Sequence, residues 1–600
     1  MPASKFHFSP RSNRAGEIAW REWGEDAFRE AREANKPVLL SLSAVWCHWC
    51  HVMDETSYSD PGVIAFINEH YVPVRVDNDQ RPDVNARYNM GGWPTTAFLT
   101  PDGEILAGAT YIPPEQMLEA LPKVYTHFVS NRDEVSEKAV ELRERRQAAY
   151  TGSGGELTPA IFDGVLRSVV NAYDPLYGGF GEAPKFPHTD SIDLLLYASR
   201  RLGDPDLLHM ARKTLEMMYA GDVYDHEWNG FFRYATRRDW LDPHYEKMLE
   251  DNAGLLRNAC HLYRINGREE HAEIARSIIA YVDGKLRDPE RGYFYGSQDA
   301  DEEFYKLDAD RRKEHDEPFI DRTCYTSWNA QMISAYIEAS WTLDRRDLLD
   351  AALKALRFVW DDCRDSSSGS MYRYNDGAPH IAGLLGDQAY TACALLDAAE
   401  VTGDSQYVDH ASELAELLSG RFHDDANGGF WDVWDETPDV GRLRDRQKSV
   451  QDNAVCAELF LRLHHLTREP RYLDIARAAV ESFGGTAERM GYFAASYAKV
   501  ADLLINPPAE VNIVGAPGSA DELHHAALLL NAPYRIVQLL DPQRDAAHLA
   551  AFSLPEEPSP AAYLCIGTTC SAPVTSAAGL VDTVRQMQTM SGPHQVAPGD

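Results

Sequence analysis

The sequence lacks any long uncharged apolar stretch. No run of about 18 apolar residues occurs in its 600 positions, so no segment is predicted to span a bilayer as a helix. The N-terminal segment, MPASKFHFSPRSNRAGEIAW, also lacks the apolar core of a secretory signal peptide. We therefore expect a cytoplasmic protein with no membrane partner.

Cysteine and lysine are both scarce. Nine cysteines over this length do not make a disulfide scaffold, and only Cys47/Cys50 and Cys565/Cys570 lie close together. There are 13 lysines against 45 arginines, and 93 acidic residues give a formal net charge of −35. Such a charge repels nucleic acid, which we exclude as a partner. An acidic surface with few lysines is typical of salt-loving archaea, where salt screens the self-repulsion.

Helical and strand-like patterns alternate in the first 150 residues. The apolar run PVLLSLS (37–43) leads directly into Trp46-Cys47-His48-Trp49-Cys50-His51. A second strand pattern, YVPVRVD (71–77), and the hairpin pattern GGWPTTAFLTPDGEIL (91–106) follow. A Cys-x-x-Cys between a strand and a helix, followed by a proline that enters a hairpin, predicts a thioredoxin-like domain over residues 1–150.

The position of the two cysteines predicts their chemistry. A thiolate at a helix N-terminus is stabilised by unpaired N–H groups and by the helix dipole, which lowers its pKa. We therefore predict Cys47 as nucleophile, Cys50 as the resolving cysteine and Pro94 as the residue that orients the substrate. Two alternatives stay open: a metal site formed with His51, or a pair that stays reduced and idle. The motif also fits c-type haem attachment, but the strand-to-helix context does not.

A turn rich in glycine and aromatics recurs six times between residues 158 and 506. The copies are YDPLYGGFGEAPKFP (173–187), YDHEWNGFFRYA (224–235), RDPERGYFYGSQDAD (287–301), CRDSSSGSMYRYNDG (363–377), FHDDANGGFWDVWDE (422–436) and FGGTAERMGYFAASYA (483–498). Pairs of helical patterns lie between them, and helices near 158–172 and 492–506 supply a sixth pair. Because a single hairpin cannot bury its apolar stripe, we predict a closed (α/α)6 toroid over residues 158–506.

The predicted inner helices begin alike. The aligned starts are Glu250-Asp251-Asn252-Ala253, Ser327-Trp328-Asn329-Ala330, Gly386-Asp387-Gln388-Ala389 and Gln451-Asp452-Asn453-Ala454. Helix capping would explain one acidic residue at each start, because Asp and Asn are favoured N-caps. It explains less well the amide that follows and the aromatic residues nearby. Aromatic rings beside carboxylates and amides also suit the faces and hydroxyls of sugars. We therefore predict a sugar-like ligand, bound by Phe186, Trp228, Trp328, Asn329, Asp387, Trp431 and Asp452.

Two further patches are rich in ionisable residues. They are PHYEKMLEDN (243–252) and SQDAD (297–301). A histidine and carboxylates around a cavity are what proton abstraction or glycosidic cleavage requires, and one catalytic carboxyl should then have a raised pKa. The predicted acid/base set is His244, Glu246, Asp251, Asp299 and Asp301. The alternative is a structural histidine with solvated turn acids. No His-x-x-x-His spacing supports a metal site, and no cofactor is predicted.

The chain changes character after Asn506-Pro507-Pro508. AEVNIVGAP, YRIVQLLDP and AAYLCIGTTC are strand-like and SADELHHAALLLNA is helical, which predicts a small α/β segment over residues 507–600. Cys565 and Cys570 could form a second thiol pair within reach of Cys47, but we expect ordinary thiols near a turn. The predicted fold class is thus multidomain, with α/β parts on either side of an all-α ring.

As a set, these motifs resemble the spermatogenesis-associated protein 20 family over nearly the whole chain. The matching segments are WCHWCHVM (46–53), GGWP (91–94), PKFP (184–187), PHYEKML (243–249), SQDAD (297–301) and TSWN (326–329). The resemblance implies a DUF255-type thioredoxin-like domain fused to a toroid similar to six-hairpin glycosidases and N-acylglucosamine 2-epimerases. Lys185, inside one motif, joins the ligand-binding candidates. Relatives commonly have an Asp-Asp-Tyr-like helix start where this chain has Gly386-Asp387-Gln388.

The resemblance implies no settled reaction, so three hypotheses stand. The first is a cytosolic thiol–disulfide protein whose toroid binds the substrate, either a small sugar-like molecule or a protein thiol. The second is a carbohydrate-active enzyme, a glycoside hydrolase or sugar epimerase, that uses the acid/base set above. The third is a non-enzymatic docking protein. The sequence predicts no oligomeric state.

Overall fold

The computed structural model contains two α/β parts and a ring of helices between them. It describes residues 6–131, 134, 137, 138, 140, 141, 145, 154–555, 557 and 559–590. The predicted fold class is confirmed. The predicted domain limits at residues 1, 150 and 600 lie outside the described residues. None of the described helices is both long enough and apolar enough to cross a membrane.

The N-terminal part is built on a four-stranded sheet of order β2-β1-β3-β4, in which β1 and β2 are parallel and the other pairs antiparallel. Its central strand is buried at every position, as expected for a strand covered by helices on both faces. The strands are β1 (Val38–Ser43), β2 (Val72–Asp77), β3 (Thr95–Leu99) and β4 (Ile105–Ala109). The helices are α1 (Glu25–Ala34), α2 (His48–Glu55), α3 (Pro61–His70), α4 (Pro82–Tyr88) and α5 (Pro114–Ser130).

Twelve helices form the ring as six antiparallel hairpins. The inner helices are α7 (Thr189–Leu202), α9 (Leu249–Asn266), α13 (Thr326–Thr342), α15 (Leu385–Thr402), α17 (Val450–Thr467) and α20 (Ala495–Ile505). The outer helices are α6 (Pro159–Ala172), α8 (Pro205–Ala220), α10 (Glu269–Tyr281), α14 (Arg346–Asp362), α16 (Gln406–Arg421) and α18 (Pro470–Glu481). The short helices α11 (Glu302–Tyr305), α12 (Ala309–Arg312) and α19 (Ala487–Met490) lie in connections.

The ring is closed. Each inner helix contacts the next, and the last inner helix contacts both the first inner helix and the first outer helix. The sixth hairpin therefore combines the two ends of the ring sequence, as predicted. One hydrophobic core runs through all six hairpins, so no hairpin leaves its apolar stripe exposed.

The recurring turn is held to the inner helix that follows it by a side-chain amide. Asn329 accepts a hydrogen bond from Phe294 N and donates to the backbone oxygens of Phe294 and Tyr325. Asn252, Gln388 and Asn453 make the same three bonds in their own hairpins. We call this arrangement the amide clamp. It satisfies buried backbone groups that would otherwise lack partners.

Five of the six turns are also ordered by an aspartate whose carboxylate accepts backbone N–H groups two and three residues later, at Asp174, Asp225, Asp288, Asp365 and Asp424. Three of these carboxylates also bind a lysine: Lys185, Lys247 and Lys448. Lys185 is fully buried, and its Nζ donates to Asp174 and to the Arg238 carbonyl. The Lys185 ammonium is therefore bound by neighbouring groups of the protein.

Short strands connect the helices on one side of the ring. They are β5 (Tyr234–Ala235), β6 (Pro243–His244), β7 (Lys247–Met248), β8 (Ser297–Gln298), β9 (Ile320–Asp321), β10 (Cys324–Tyr325), β11 (Tyr372–Asn375) and β12 (Pro379–Ala382). The β7–β8 register pairs Lys247 with Gln298, so Glu246 and Asp299 stand opposite each other. Two of the ionisable patches predicted from the sequence therefore meet.

The C-terminal part packs against the far end of the ring, where β14 contacts α15 and α17. It contains β13 (Ala509–Val514), β14 (Arg535–Leu540), β15 (Ala561–Ile566), β16 (Thr569–Cys570), α21 (Asp521–Leu528), α22 (Ala546–Ala551) and α23 (Ala577–Met590). Cys565 and Cys570 face each other across β15 and β16 and form a disulfide. The expectation of ordinary thiols near a turn was therefore wrong. The C-terminal part is therefore separated from the N-termini of the inner helices by about 25 Å, the length of one inner helix.

The N-terminal part docks on the opposite end, at the inner-helix starts. Val440 and Leu443, from the long turn before α17, enter the hydrophobic core formed by Trp23, Phe28 and the sheet. Gly103 and Gly441 meet so closely that neither position has room for a Cβ, and both have positive φ angles. The two parts therefore share one core at this contact.

The amide clamp predicts a stability effect. Asn329→Leu would leave the buried N–H and C=O groups of Phe294 without this partner, at a cost of roughly 2–4 kcal/mol. We expect a clearly lower thermal unfolding midpoint, measured by circular dichroism. Gln406→Leu, at an exposed amide on outer helix α16, is the control and should change stability by less than about 0.5 kcal/mol. Equal midpoints for the two variants would contradict the clamp.

Candidate functional site

The Cys-x-x-Cys motif begins helix α2. Cys47 is the N-cap residue, its Sγ accepts a hydrogen bond of 3.2 Å from Cys50 N, and the two cysteines form a disulfide. The Trp93–Pro94 peptide is cis and immediately precedes β3. The rings of Trp46 and Trp93 meet edge to face with centroids 5.8 Å apart, so the proline loop lies beside the cysteine loop.

A toroid arginine covers these two loops. The guanidinium of Arg233 lies 4.3 Å from the ring centre of Trp46 and 5.1 Å from that of Trp93. Cys47 and Cys50 are 4% and 2% exposed and belong to the same hydrophobic core as the ring helices. The cysteine pair therefore faces the toroid rather than open solvent.

The helix that carries the cysteines also contacts the predicted acid/base patch. His51 Nδ1 lies 3.7 Å from Asp299 Oδ2, and His51 Nε2 is 3.0 Å from the Val45 carbonyl. Burial, followed by the neighbouring His7, lowers the pKa of His51 to about 4. Burial also raises the pKa of Asp299 well above its ordinary value. At neutral pH the His51 imidazole is therefore neutral, and burial favours the protonated form of the Asp299 carboxyl beside it.

A cavity of about 390 Å³ opens at the inner-helix starts beneath the N-terminal part. Pro82, Asp83 and Ala86 of the N-terminal part line one side. The toroid supplies the polar and aromatic wall, formed by Glu250, Ser327, Trp328, Arg373, Asp387, Tyr390, Asp432 and Asp452. We call this space the mouth cavity. It lies where the N-termini of inner helices converge.

Arg373 connects the mouth cavity to the cysteine motif. Its Nε donates to the carbonyl of Asp79, and its Nη1 lies 2.7 Å from Ser327 Oγ and 3.2 Å from Asp387 Oδ1. The Asp79 carboxylate in turn accepts a 2.6 Å hydrogen bond from Trp46 Nε1, next to Cys47 in the chain. A continuous chain of hydrogen bonds thus runs from the redox motif to a cavity carboxylate.

Burial raises the pKa of five carboxyls in and next to this region. It raises the pKa of Glu250 to about 8, with a further contribution from Asp251. The pKa values of Asp79, Asp251, Asp387 and Asp452 are each raised to about 6, again mainly by burial. Glu250 is therefore mostly protonated at pH 7 while the aspartates are mostly ionised, a separation that acid/base chemistry uses.

The predicted acid/base residues fall into two groups. His244 and Glu246 lie 3.7 Å apart, and buried Glu246 has one carboxylate oxygen with no hydrogen-bond partner among the described residues. Glu246 also raises the pKa of both Asp251 and Asp299, which places these three carboxyls in one electrostatic cluster. Asp301 also raises the pKa of Asp299, but its own carboxylate is engaged in capping the short helix α11.

The predicted ligand-binding residues also divide. Trp328, Asp387 and Asp452 line the mouth cavity. Asn329 uses both Nδ2 hydrogens in its amide clamp, and Lys185 is held by Asp174. The aromatic candidates outside the cavity lining have other contacts: Phe186 stacks on Tyr234, Trp228 packs against Phe304 and Lys285, and Trp431 contacts Arg446 and Lys448.

Sequence reasoning missed four residues that shape the site. Glu250 stands in the aligned helix starts, so the repeat itself was a signal for it. Arg233, Arg373 and Asp79 lie in turns or at a strand end and carry no local motif. The metal alternative at Cys47, Cys50 and His51 finds no support, because the described residues contain no group of three or more potential ligands suitably arranged.

A thioredoxin-like domain that covers the mouth of an (α/α)6 toroid is the class that this fold and site define. Residues 9–147 match the Thioredox_DsbH family model, described as a protein of unknown function, DUF255. Human spermatogenesis-associated protein 20 is 26% identical over 93% of this chain and 88% of its own length. An uncharacterized protein of Caenorhabditis elegans is 25% identical over 93% of both chains. The predicted family resemblance is confirmed.

Other comparisons cover single parts of the chain. The thiol:disulfide interchange protein DsbD 1 of Pseudomonas aeruginosa is 35% identical over 81 residues, 13% of this chain and 14% of its own length. Among solved structures, cellobiose 2-epimerase of Bacillus thermoamylovorans covers 52% of this chain and 82% of its own, with 13% identity and a TM-score of 0.45. A family 76 mannosidase of Bacteroides thetaiotaomicron covers 57% and 98%, with 13% identity and a TM-score of 0.42.

The raised pKa of Glu250 predicts a pH-dependent stability. Its folded-state pKa of about 8 exceeds the ordinary value of 4.5, so folding favours the protonated form. The stability contribution is fully present below about pH 4.5 and is lost as pH rises to about 8. Glu250→Gln should therefore unfold at the same temperature as the wild type near pH 4.5. As the pH rises towards 8, the unfolding temperature of the variant should exceed that of the wild type by a growing margin.

Thermal melts at fixed ionic strength across this range measure the effect. Glu273→Gln, at an exposed position on outer helix α10, is the matched control and should follow the wild type at every pH. If the difference between Glu250→Gln and the wild type stays constant with pH, Glu250 is not the buried acid described here.

Proposed function

We propose that the protein carries out thiol–disulfide exchange on a ligand held at the toroid mouth. The observation that carries this proposal is the hydrogen-bond chain from Trp46 through Asp79 and Arg373 to Asp387, which joins the cysteine motif to the mouth cavity. Arg233 supports it, because a toroid side chain packs directly on the two loops that flank the disulfide. The proposed active site therefore includes both parts.

In the reduced state Cys47 is the nucleophile. The backbone N–H of Cys50 donates to its sulfur, and the N-terminus of α2 favours negative charge there. The Cys47 thiolate attacks one sulfur of a substrate disulfide, whose S–S bond breaks and releases a thiolate that takes up a proton. Deprotonated Cys50 then attacks Cys47 Sγ, which releases the second substrate thiol. Two electrons pass from the cysteine pair to the substrate.

The buried position of the pair favours a small substrate. With Cys47 only 4% exposed and Arg233 above the neighbouring rings, a folded protein surface has little access to the sulfur. The proposed substrate is instead a low-molecular-weight thiol or disulfide. In the mouth cavity its polar groups would face Arg373 and the cavity carboxylates, and its sulfur would extend beyond the cavity lining, which contains neither cysteine, to reach Cys47. Pro94, buried beside the cysteine loop, would orient it. We place this reaction in the cytoplasm.

Trapping of the mixed disulfide tests the mechanism. Cys50→Ser retains the nucleophile but cannot resolve the intermediate, so incubation with oxidised glutathione should add one glutathione, detected by intact mass spectrometry. Cys47→Ser should add far less, and the difference should be about tenfold or more because Cys50 lies a helical turn further in. Oxidised glutathione should also react at least about tenfold faster than insulin with the reduced wild type.

The second disulfide provides a control for this experiment. The Cys565→Ser, Cys570→Ser variant removes the cross-strand disulfide at the far end and should react like the wild type. Full exchange activity in Cys47→Ser would refute Cys47 as nucleophile. Equal rates with glutathione disulfide and insulin would refute the enclosed site while leaving the chemistry intact.

A carbohydrate-active enzyme is the second candidate, favoured by the mouth cavity itself. Trp328 and Tyr390 stand beside carboxyls whose pKa values are separated, about 8 for Glu250 and about 6 for Asp387 and Asp452. Glu250 would act as the general acid and an ionised aspartate as the base. The hydrolase and epimerase alternatives share this pair. No contact among the described residues favours the docking hypothesis.

Sugar turnover tests this second candidate. If it holds, mono- or disaccharides are hydrolysed or epimerised by the wild type, as followed by NMR. Glu250→Gln and Asp452→Asn should then each reduce the rate by about a hundredfold or more. The Cys47→Ser variant should retain the sugar activity, which separates the two functions. Absence of both turnover and thermal stabilisation across a saturating panel would rule the candidate out.

A further inference from the structure

A second cavity, of about 140 Å³, lies inside the ring near the C-terminal ends of the inner helices. Inner-helix side chains line its walls, and residues 528–535 of the C-terminal part close its outer side. It shares no lining residue with the mouth cavity. Leu529, in the closing segment, is 41% exposed, so the cavity is close to solvent there. We call this space the rear cavity.

The rear cavity carries an excess of positive charge. Its lining has six permanent cations: Arg200, Arg257, Arg264, Arg462, Lys499 and Arg535. It has five carboxylates: Asp193, Glu338, Asp397, Glu400 and Glu458, with His261 as a further ionisable group. In a chain of net charge −35, an interior that is locally cationic runs against the overall composition.

The five carboxylates serve four of the cations. Glu338 binds Arg257 and Arg264, and Asp397 and Glu400 both bind Arg462. Asp193 lies 2.8 Å from Lys499, and Glu458 lies 3.5 Å from it. The remaining guanidiniums, Arg200 and Arg535, form no ion pair with any described residue. An ionised group that is removed from water without a counter-charge is costly, so this arrangement is incomplete as it stands.

Trp341 packs against the unpaired guanidinium of Arg535 and against the guanidinium of Arg264, which is paired with Glu338. Arg535 and Arg264 each lie 4.7 Å from the ring centre of Trp341, so the indole holds both planes in place. Burial lowers the pKa of Arg535 to about 9 and that of Arg200 to about 10, and the Arg264 charge contributes to both shifts. Three guanidiniums therefore influence one another across the cavity.

We propose that the rear cavity binds a small oxyanion of the phosphate class between Arg200, Arg264 and Arg535. Guanidinium groups present paired N–H donors that match phosphate oxygens, and a bound dianion would neutralise the two unpaired charges. The volume admits an inorganic phosphate or the phosphate group of a monoester, whose remainder would extend past residues 528–533. The site is separate from the proposed redox site and does not depend on it.

Calorimetric titration of the full-length protein with inorganic phosphate tests the proposal. Chloride keeps the ionic strength constant, so that general screening does not change. We expect one saturable site in the wild type, and binding weakened about tenfold or more in Arg535→Gln and in Arg200→Gln. Each variant also removes a partly exposed charge that has no ion pair, so without phosphate each should unfold at the same or a higher temperature than the wild type.

Arg346→Gln is the matched control, because Arg346 is an exposed arginine on outer helix α14. It should bind phosphate as the wild type does. Tighter binding of glycerol phosphate than of phosphate would assign the site to a phosphate monoester, and the reverse order would assign it to the free anion. Absence of saturable binding for both, or equal binding in the wild type and in Arg535→Gln and Arg200→Gln, would overturn the proposal.

Discussion

The guanidinium of Arg373 ties together the two largest parts of the molecule. It donates to the backbone of Asp79 in the thioredoxin-like part and to Ser327 and Asp387 at the starts of two inner helices, and it lies over the rings of Tyr325 and Trp328. Removal of the acceptors would leave a buried charge without partners, at a cost of several kcal/mol. Together with the packing of Arg233 on Trp46 and Trp93, Arg373 therefore holds the cysteine motif in a defined position relative to the mouth cavity.

Carboxyls at the N-termini of the inner helices have raised pKa values, although a helix N-terminus normally lowers the pKa of a carboxyl. A helix dipole favours a carboxylate in the first turn by about 0.3–1 kcal/mol, which on its own would lower the pKa by well under one unit. Glu250, Asp387 and Asp452 all occupy such first turns, yet the pKa of each is raised. Burial beneath the thioredoxin-like part therefore outweighs the dipole. The acid/base properties of the cavity depend on this cover as much as on the helices.

The sequence predicted the ring because its turns repeat, and it predicted the position of the cysteine pair because strand, motif and proline follow one order. It could not predict which polar groups were already occupied. Asn329 looked like a ligand-binding amide, but its partner is the backbone of Phe294, 35 positions earlier. Asp301 looked like a catalytic acid but caps a short helix. Arg233 and Arg373 act between distant segments, and such contacts leave no local pattern.

The close meeting of Gly103 with Gly441 has a consequence for how the chain folds. Val440 and Leu443 complete the core around Trp23 and Phe28, although more than 300 positions separate these residues in the sequence. The segment matched by the family model, residues 9–147, is thus an evolutionary unit without being a complete folding unit. During synthesis this segment emerges first but gains its last core residues only when the fifth hairpin arrives. The core of the segment is therefore completed late, together with this part of the toroid.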